Sequence, residues 1–106
     1  RLFNTFAYSA AKGALRSMTL NAAATYAPER IRFNLVVPSL IDTPMGRDAT
    51  RRRPSRALAV PFGRQGTGWE VAYACLFLLS NESSYVNAHA LMVDGGLGVG
   101  VMRAGT

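Results

Sequence analysis

Two short apolar runs, separated by a helical pattern, constrain the fold of this 106-residue chain more than any other feature. The first run, Ile31–Val37, is closed by Pro38, and the second, Ala88–Val93, is stopped by Asp94-Gly95-Gly96. Runs of this kind are typical of strands that are buried on both faces. Because a helical segment lies between them, the two strands are predicted to be parallel neighbours in an α/β fold.

The helix between the two strands has a clear start signal. Thr67-Gly68-Trp69-Glu70 matches a capping box, in which the Thr and Glu side chains each accept a hydrogen bond from the other residue's backbone. The apolar residues that follow on one helical face are Val71, Cys75, Leu78 and Leu79. We therefore expect Cys75 to be a small buried hydrophobe and not a reactive thiol.

An earlier helix is predicted over Ser9–Ala27, and residues 1–7 are predicted to be a loop that leads into it. The segment is rich in Ala and carries apolar residues at steps of three and four, namely Leu15, Met18, Ala22 and Tyr26. Pro28 ends the helix.

The segment between the first strand and the second helix lacks periodicity. Residues 38–66 contain four Pro and three Gly residues. A connection of this length is usually a lid, a binding loop or a disordered segment. The order helix, strand, long loop, helix, strand is typical of the end of a doubly wound sheet. We therefore expect this chain, which starts at Arg1, to be part of a larger domain.

Composition excludes several classes of protein. With 49% hydrophobic and 17% charged residues, the chain is not of the disordered type. It has no apolar run near the roughly 20 residues that span a bilayer. One Cys and one His provide neither a disulfide framework nor a Cys/His zinc cluster, so no metal site is expected. Since no signal peptide is visible, the default compartment is the cytoplasm.

The net charge of +6 comes mostly from arginine, and one cluster lies in the long loop. Three interpretations are open: a solvated basic loop, contact with an anionic substrate or carrier, and binding to nucleic acid. No base-stacking aromatic residues alternate with the cluster, which argues against nucleic acid. Its residues are Arg47, Arg51, Arg52, Arg53 and Arg56.

Tyr8 and Lys12 are the candidate chemical residues. On a helix, side chains four residues apart share one face. A free phenol titrates near pH 10, and a nearby cation favours the phenolate, so the pair can act as a general acid/base on an alcohol or carbonyl. Lys12 is also the only lysine of the chain. A lysine ammonium can hold a ribose diol, whereas arginine imposes a planar fork.

Together with the segments that follow it, the Tyr8–Lys12 pair resembles the C-terminal half of a short-chain dehydrogenase/reductase. The resemblance covers nearly the whole chain and follows the family's order. The matching segments after Tyr8-Ser9-Ala10-Ala11-Lys12 are Ile31–Pro38, Ile41-Asp42-Thr43-Pro44-Met45, Gly63-Arg64, Glu70-Val71-Ala72, Phe77–Ser80 and Val93-Asp94-Gly95-Gly96.

The resemblance implies a function and a set of residue roles. It implies an NAD- or NADP-dependent oxidoreductase that interconverts a secondary alcohol and a ketone. Tyr8 would be the catalytic acid/base and would also contact the cofactor, and Lys12 would assist it and hold the nicotinamide ribose. The remaining cofactor contacts would come from Pro38, Ser39, Ile41 and Thr43. Within the long loop, residues 39–66, the segment from Met45 to Arg64 would be the substrate lid.

The resemblance also implies the domain's missing part and its partners. Residues 1–106 would be the C-terminal portion of one Rossmann-like domain that lacks its N-terminal dinucleotide-binding half. The choice between NAD and NADP is therefore open. The partners would be a small alcohol or carbonyl substrate and further copies of the chain, in a homodimer or homotetramer packed through the first helix. Neither nucleic acid nor a membrane is expected.

Two positions depart from the family pattern. Ser39 stands where the family usually has Gly after the Pro, and Asn87-Ala88 replaces a Thr-Gly pair before the last strand. Asn34 is expected to support the backbone and His89 to be a structural or surface residue. The alternative to an enzyme is a truncated, catalytically silent remnant that acts at most as an interaction module.

Overall fold

Two pairs of parallel strands organise the chain. The structure is a computed structural model, and it describes residues 2–39, 41–44 and 60–98. Its elements are, in order, α1 (Leu2–Tyr26), a 3-10 turn (Ala27–Glu29), β1 (Leu35–Pro38), β2 (Ile41–Asp42), β3 (Gly66–Thr67), α2 (Gly68–Leu79), a second 3-10 turn (Asn81–Ser83) and β4 (Ala90–Val93).

The main strands, β1 and β4, pair in parallel with α2 as their crossover helix, as the sequence predicted. Their register places Leu35 opposite Ala90 and Pro38 opposite Val93. The carboxyl ends of both strands therefore lie at one edge of the sheet. This is the edge at which open α/β sheets bind their ligands.

Both main strands are shorter than predicted. At their amino ends, the backbone bonds from Ala88 N to Phe33 O (2.9 Å) and from Leu35 N to His89 O (2.8 Å) are interspersed with bonds to amide side chains. Asn34 Oδ1 accepts a hydrogen bond from His89 N (2.9 Å), and Asn34 Nδ2 donates to Val86 O (2.9 Å). Asn87 Oδ1 accepts from Phe33 N (3.0 Å). The supporting role expected for Asn34 is confirmed, and His89 is exposed, as expected.

The prediction for α1 was wrong at its start and right at its end. The helix already includes Leu2, because residues 2–8 contain neither Gly nor Pro to interrupt it. Pro28 lies in the first turn of the following 3-10 segment, where a missing N–H is tolerated. The predicted apolar face is also largely exposed. Met18 is 65% exposed, and α1 is buried at Ala23 instead.

The capping box of α2 is present in full. Thr67 is the N-cap, and both reciprocal hydrogen bonds with Glu70 form. Leu78 is buried, whereas Leu79 is 83% exposed, so the prediction that both lie on the buried face was wrong for Leu79. The inward face of α2 is formed by Val71, Ala74, Cys75 and Leu78, and Leu79 lies beyond its edge. Cys75 is half-buried and not fully buried.

The predicted long loop is closed by its own parallel pair, β2 with β3, which the sequence analysis missed. Ile41 lies opposite Gly66 and Asp42 opposite Thr67. The two ends of this segment are therefore hydrogen-bonded to each other. The basic cluster Arg47–Arg56 and most of the predicted lid lie outside the described residues.

The two helices lie on opposite faces of the β1–β4 pair. Leu91 borders a groove with Leu78 of α2, whereas Met92 borders a groove with Tyr8 of α1. Successive residues of a strand point to opposite faces, so each helix covers its own side of the sheet. No helix among the described residues has the length and apolarity needed to cross a membrane.

Candidate active site

Tyr8 and Lys12 form one exposed face near the start of α1. The Lys12 Nζ atom lies 5.3 Å from the centroid of the Tyr8 ring, which is within the range of a cation–π contact. Tyr8 is 64% exposed. The phenol is therefore open to a ligand and has a fixed cation beside it.

The Tyr8–Lys12 face borders a groove of about 490 Å³ between α1 and β1. Leu35–Pro38 and Met92 form its floor. A later turn of α1, at Arg16 and Thr19, lies instead beside Leu35 and the start of β4. Since α1 runs antiparallel to the strands, Tyr8 and Lys12 lie towards their carboxyl ends.

The other predicted cofactor contacts lie along the chain that leaves β1. Pro38 lines the same groove as Tyr8 and Lys12. Ser39 lines a neighbouring cavity of about 270 Å³, which Met92 also borders. Ile41 and Thr43 do not line the Tyr8 groove. They belong to the β2 segment, where the Thr43 N–H donates to Ile41 O (2.9 Å).

Ser39 fits its position without the freedom of a glycine. Its φ is negative, and its N–H donates to Val93 O (3.2 Å), which extends the parallel pairing by one bond. Nothing in the conformation of this position requires a glycine.

The Asn87-Ala88 pair, which departs from the family pattern, forms the turn before β4. Ala88 has a φ of 59°, in the left-handed region that favours Gly. The Asn87 side chain accepts from Ala88 N (3.1 Å) and donates to Ala23 O of α1 (3.3 Å). A single amide thus supports the strained turn and connects it to α1.

Sequence reasoning missed an ion pair at the far end of the loop. The Arg64 guanidinium donates two hydrogen bonds to the two carboxylate oxygens of Glu70, each 2.9 Å long. The Arg64 fork and the Thr67 N–H together lower the pKa of Glu70 to about 2. Glu70 belongs to the predicted capping box, and Arg64 belongs to one of the segments that resemble the family pattern. Arg64 and Glu70 are six residues apart, on either side of the N-cap Thr67. This spacing is the sequence signal that could have indicated the ion pair.

The described residues contain no group of His, Cys, Asp and Glu side chains that could hold a metal ion. The groove beside Tyr8 and Lys12 is lined by a phenol, an ammonium and the residues of β1.

Comparison with known proteins adds a family and several relatives. A family model described as enoyl-(acyl carrier protein) reductase matches residues 2–98. The inactive 2-(S)-hydroxypropyl-CoM dehydrogenase 2 of Xanthobacter autotrophicus is 43% identical over 98 residues, which is 86% of this chain and 43% of that protein. The cyclopentanol dehydrogenase of a Comamonas species is 45% identical over 93 residues, which is 85% of this chain and 37% of that protein.

A solved structure shows the same arrangement of elements. A short chain dehydrogenase family protein from Francisella tularensis matches with a TM-score of 0.82 and 28% identity, over 89% of this chain and 44% of that one. This chain thus spans less than half the length of each of these three proteins.

Proposed function

Because the chain belongs to the short-chain dehydrogenase/reductase family, we propose that it provides the acid/base part of a complete NAD(P)-dependent oxidoreductase. We call that complete protein the full-length enzyme. Its reaction would interconvert a secondary alcohol and a ketone. The relatives are dehydrogenases and reductases, and the names of two of them specify secondary alcohols. The observation that carries the proposal is the exposed Tyr8–Lys12 pair, which borders a groove at the carboxyl ends of the strands.

The described residues fit one end of a nicotinamide cofactor. The Lys12 ammonium has three donors for the hydroxyls of the nicotinamide ribose, and Pro38 lies in the same groove. Ser39, Ile41 and Thr43 would continue the contact along the chain that leaves β1. A nicotinamide cofactor held by these residues would supply the hydride chemistry at the substrate carbon.

The protein's own contribution is the movement of a proton. During oxidation, Tyr8 Oη accepts the proton of the substrate hydroxyl, and during reduction it donates a proton to the carbonyl oxygen. Lys12 lies on the same face of α1, with its ammonium 5.3 Å from the centroid of the Tyr8 ring. A positioned acid/base of this kind contributes roughly 10²–10⁴-fold to the rate.

The test is Tyr8→Phe in the full-length enzyme, with cyclopentanol and other secondary alcohols as substrates. We expect kcat to fall by about 10²-fold or more while cofactor affinity stays within about threefold, since Phe keeps the ring and removes the proton. Tyr73→Phe is the matched control, because Tyr73 is an exposed tyrosine on α2. Activity of Tyr8→Phe within about threefold of the parent would refute the role.

A catalytically silent protein is the second candidate, and one relative favours it. That relative is named an inactive dehydrogenase and is 43% identical to this chain. If the full-length protein turns over no alcohol with NAD or NADP and Tyr8→Phe changes nothing, this second candidate replaces the first.

We also propose that the enzyme assembles as a homodimer or homotetramer through α1. Phe6 and Met18 on this helix are 77% and 65% exposed, and exposed large apolar side chains are available for contact with another subunit. Light scattering of the full-length enzyme would measure the number of subunits.

A further inference from the structure

The Glu70 carboxylate is the centre of a small network at the start of α2. It accepts two hydrogen bonds from Arg64 and one from the Thr67 N–H, all 2.9 Å long. The Thr67 hydroxyl in turn accepts from Glu70 N (3.2 Å). Two parallel bonds between a guanidinium and a carboxylate fix direction as well as distance. The network therefore holds Thr67 in one orientation.

Thr67 transmits this orientation to the segment after β1. It lies in β3, which pairs with β2 through Asp42. The pairing is tight at the next position, where a Cβ on Gly66 would lie only 2.9 Å from Ile41 Cδ1. Thr43 follows directly and is bonded to Ile41 O. If the Arg64 side chain moves, Thr67 in β3 moves with it, and the pairing of β3 with β2 passes this movement to Thr43.

Stability alone does not account for Arg64. A capping box needs only Thr67 and Glu70, and it is complete without the guanidinium. The Arg64 and Glu70 side chains are 54% and 41% exposed, and exposed ion pairs add little to folding. We therefore attribute to the Arg64–Glu70 pair a local effect, which is to fix the position of the backbone in β2 and β3.

We propose that Arg64 and Glu70 are a positioning pair for the segment Ile41–Thr43. The inference rests on the proposed function, in which Thr43 contacts the nicotinamide end of the cofactor. Neither Arg64 nor Glu70 touches the cofactor. They act through Thr67 and β2, and they set the cofactor's affinity without taking part in proton transfer.

The experiment measures cofactor affinity of the full-length enzyme by protein fluorescence, in the absence of substrate. We expect Arg64→Gln to raise the Kd for NAD(P)H about fivefold, the value of one hydrogen bond. Arg64→Lys keeps the charge and loses the fork, so its Kd should rise similarly. The pH profile of kcat should not change, and the thermal midpoint should fall only slightly, since an exposed ion pair adds little to folding. Hydrogen exchange of the residue 41–43 amides should become faster.

Arg30→Gln is the matched control, since it removes the same charge before β1, at the opposite end of the sheet. It should leave the Kd for NAD(P)H unchanged. A Kd that rises equally in Arg30→Gln and Arg64→Gln would overturn the proposal, because the effect would then be one of net charge.

A double-mutant cycle with Thr43→Val separates the two proposals. If Arg64 acts through Thr43, the double variant should bind NAD(P)H no more weakly than Thr43→Val alone. A raised Kd in Thr43→Val with an unchanged Kd in Arg64→Gln would overturn the positioning role only. An unchanged Kd in both would overturn the cofactor contact of Thr43 and the positioning role with it. If the effects of Arg64→Gln and Thr43→Val on the Kd were fully additive, the positioning role would also be overturned, since Arg64 would then act independently of Thr43.

Discussion

Ala88 occupies a backbone conformation that costs an L-residue roughly 1–2 kcal/mol. Its φ of 59° is imposed by the turn that leads into β4. The Asn87 amide accepts from the Phe33 and Ala88 N–H groups and so holds that turn in place. The strain at one residue is thus offset by the side chain of its neighbour.

We predict that Ala88→Gly stabilises the full-length enzyme. Glycine removes the Cβ penalty but loses more chain entropy on folding, which leaves a net gain of about 1 kcal/mol. For an enzyme of roughly 150–250 residues this corresponds to a rise of about 2–4 °C in thermal midpoint. Ala90→Gly, inside β4, should lower the midpoint instead. A midpoint that falls in Ala88→Gly would show that the turn does not strain this residue.

The ammonium at position 12 provides a second prediction at the residue scale. Lys12→Arg keeps the positive charge but replaces a compact, rotatable ammonium by a planar fork. We expect a loss of kcat/KM of at least about tenfold, because catalytic groups must be held within a fraction of an ångström. Steady-state kinetics of the full-length enzyme measures this. If Lys12→Arg has the same kcat/KM as the parent, the site requires only a positive charge at position 12 and not a lysine.

At the scale of elements, the start of α2 depends on an ionised carboxylate. The pKa of Glu70 is lowered from 4.5 to about 2, chiefly by the Arg64 fork and then by the Thr67 N–H. A carboxyl whose pKa is lower in the folded state stabilises that state above its unfolded pKa. The contribution is therefore complete above about pH 4.5 and is lost as the pH falls towards 2.

We predict that Glu70→Gln lowers the thermal midpoint at pH 7 and that its difference from the parent narrows between pH 5 and pH 3. Thermal melts of both proteins across this pH range would measure the difference. Glu82→Gln, which removes the same charge from the turn after α2, controls for net charge. A difference that does not vary with pH would show that Glu70 stabilises the helix without its charge.

The elements differ in how far they could be predicted from sequence. The capping box follows from four consecutive residues, because its hydrogen bonds are local. The parallel pairing of β1 and β4 follows from two apolar runs and a helix between them. The residues at which these strands begin could not be predicted. They depend on hydrogen bonds from the Asn34 and Asn87 side chains to backbone groups more than fifty residues away.

The candidate site shows the same division. Tyr8 and Lys12 could be found by their spacing, since a helix places them on one face. The sequence could not show that Ser39 lines a different cavity from Tyr8, because this depends on where β4 ends. The role of Arg64 depends on the pairing of β2 with β3, and two-residue strands have no periodicity to detect.

At the scale of the whole molecule, the described residues bury few apolar side chains. The buried ones are Ala23, Val60 and Leu78. Ordering a chain costs about 1.5 kcal/mol per residue, which apolar burial must offset. In the described part, β1 and β4 pair only with each other. Their outer edges are thus left for other strands.

We predict that the 106-residue chain alone neither catalyses nor binds a nicotinamide dinucleotide tightly, and that it aggregates or folds only in part. The described residues provide contacts for the nicotinamide end, whereas a doubly wound fold binds the pyrophosphate at a Gly-rich turn. Calorimetric titration with NAD(H) and NADP(H), beside a thermal melt, would measure both properties. A cooperative melt with micromolar binding would contradict the prediction.

The short β2–β3 pair has a consequence for how this scaffold can change over evolution. By joining Ile41 to Gly66 and Asp42 to Thr67, it closes the intervening segment at its base. The entropy of closing a flexible loop grows only logarithmically with length, so doubling the segment would cost about 0.6 kcal/mol. Insertions and deletions between Pro44 and Val60 would therefore cost little, while the strands and helices on either side keep their register. The same fold can accept a new loop in each descendant protein.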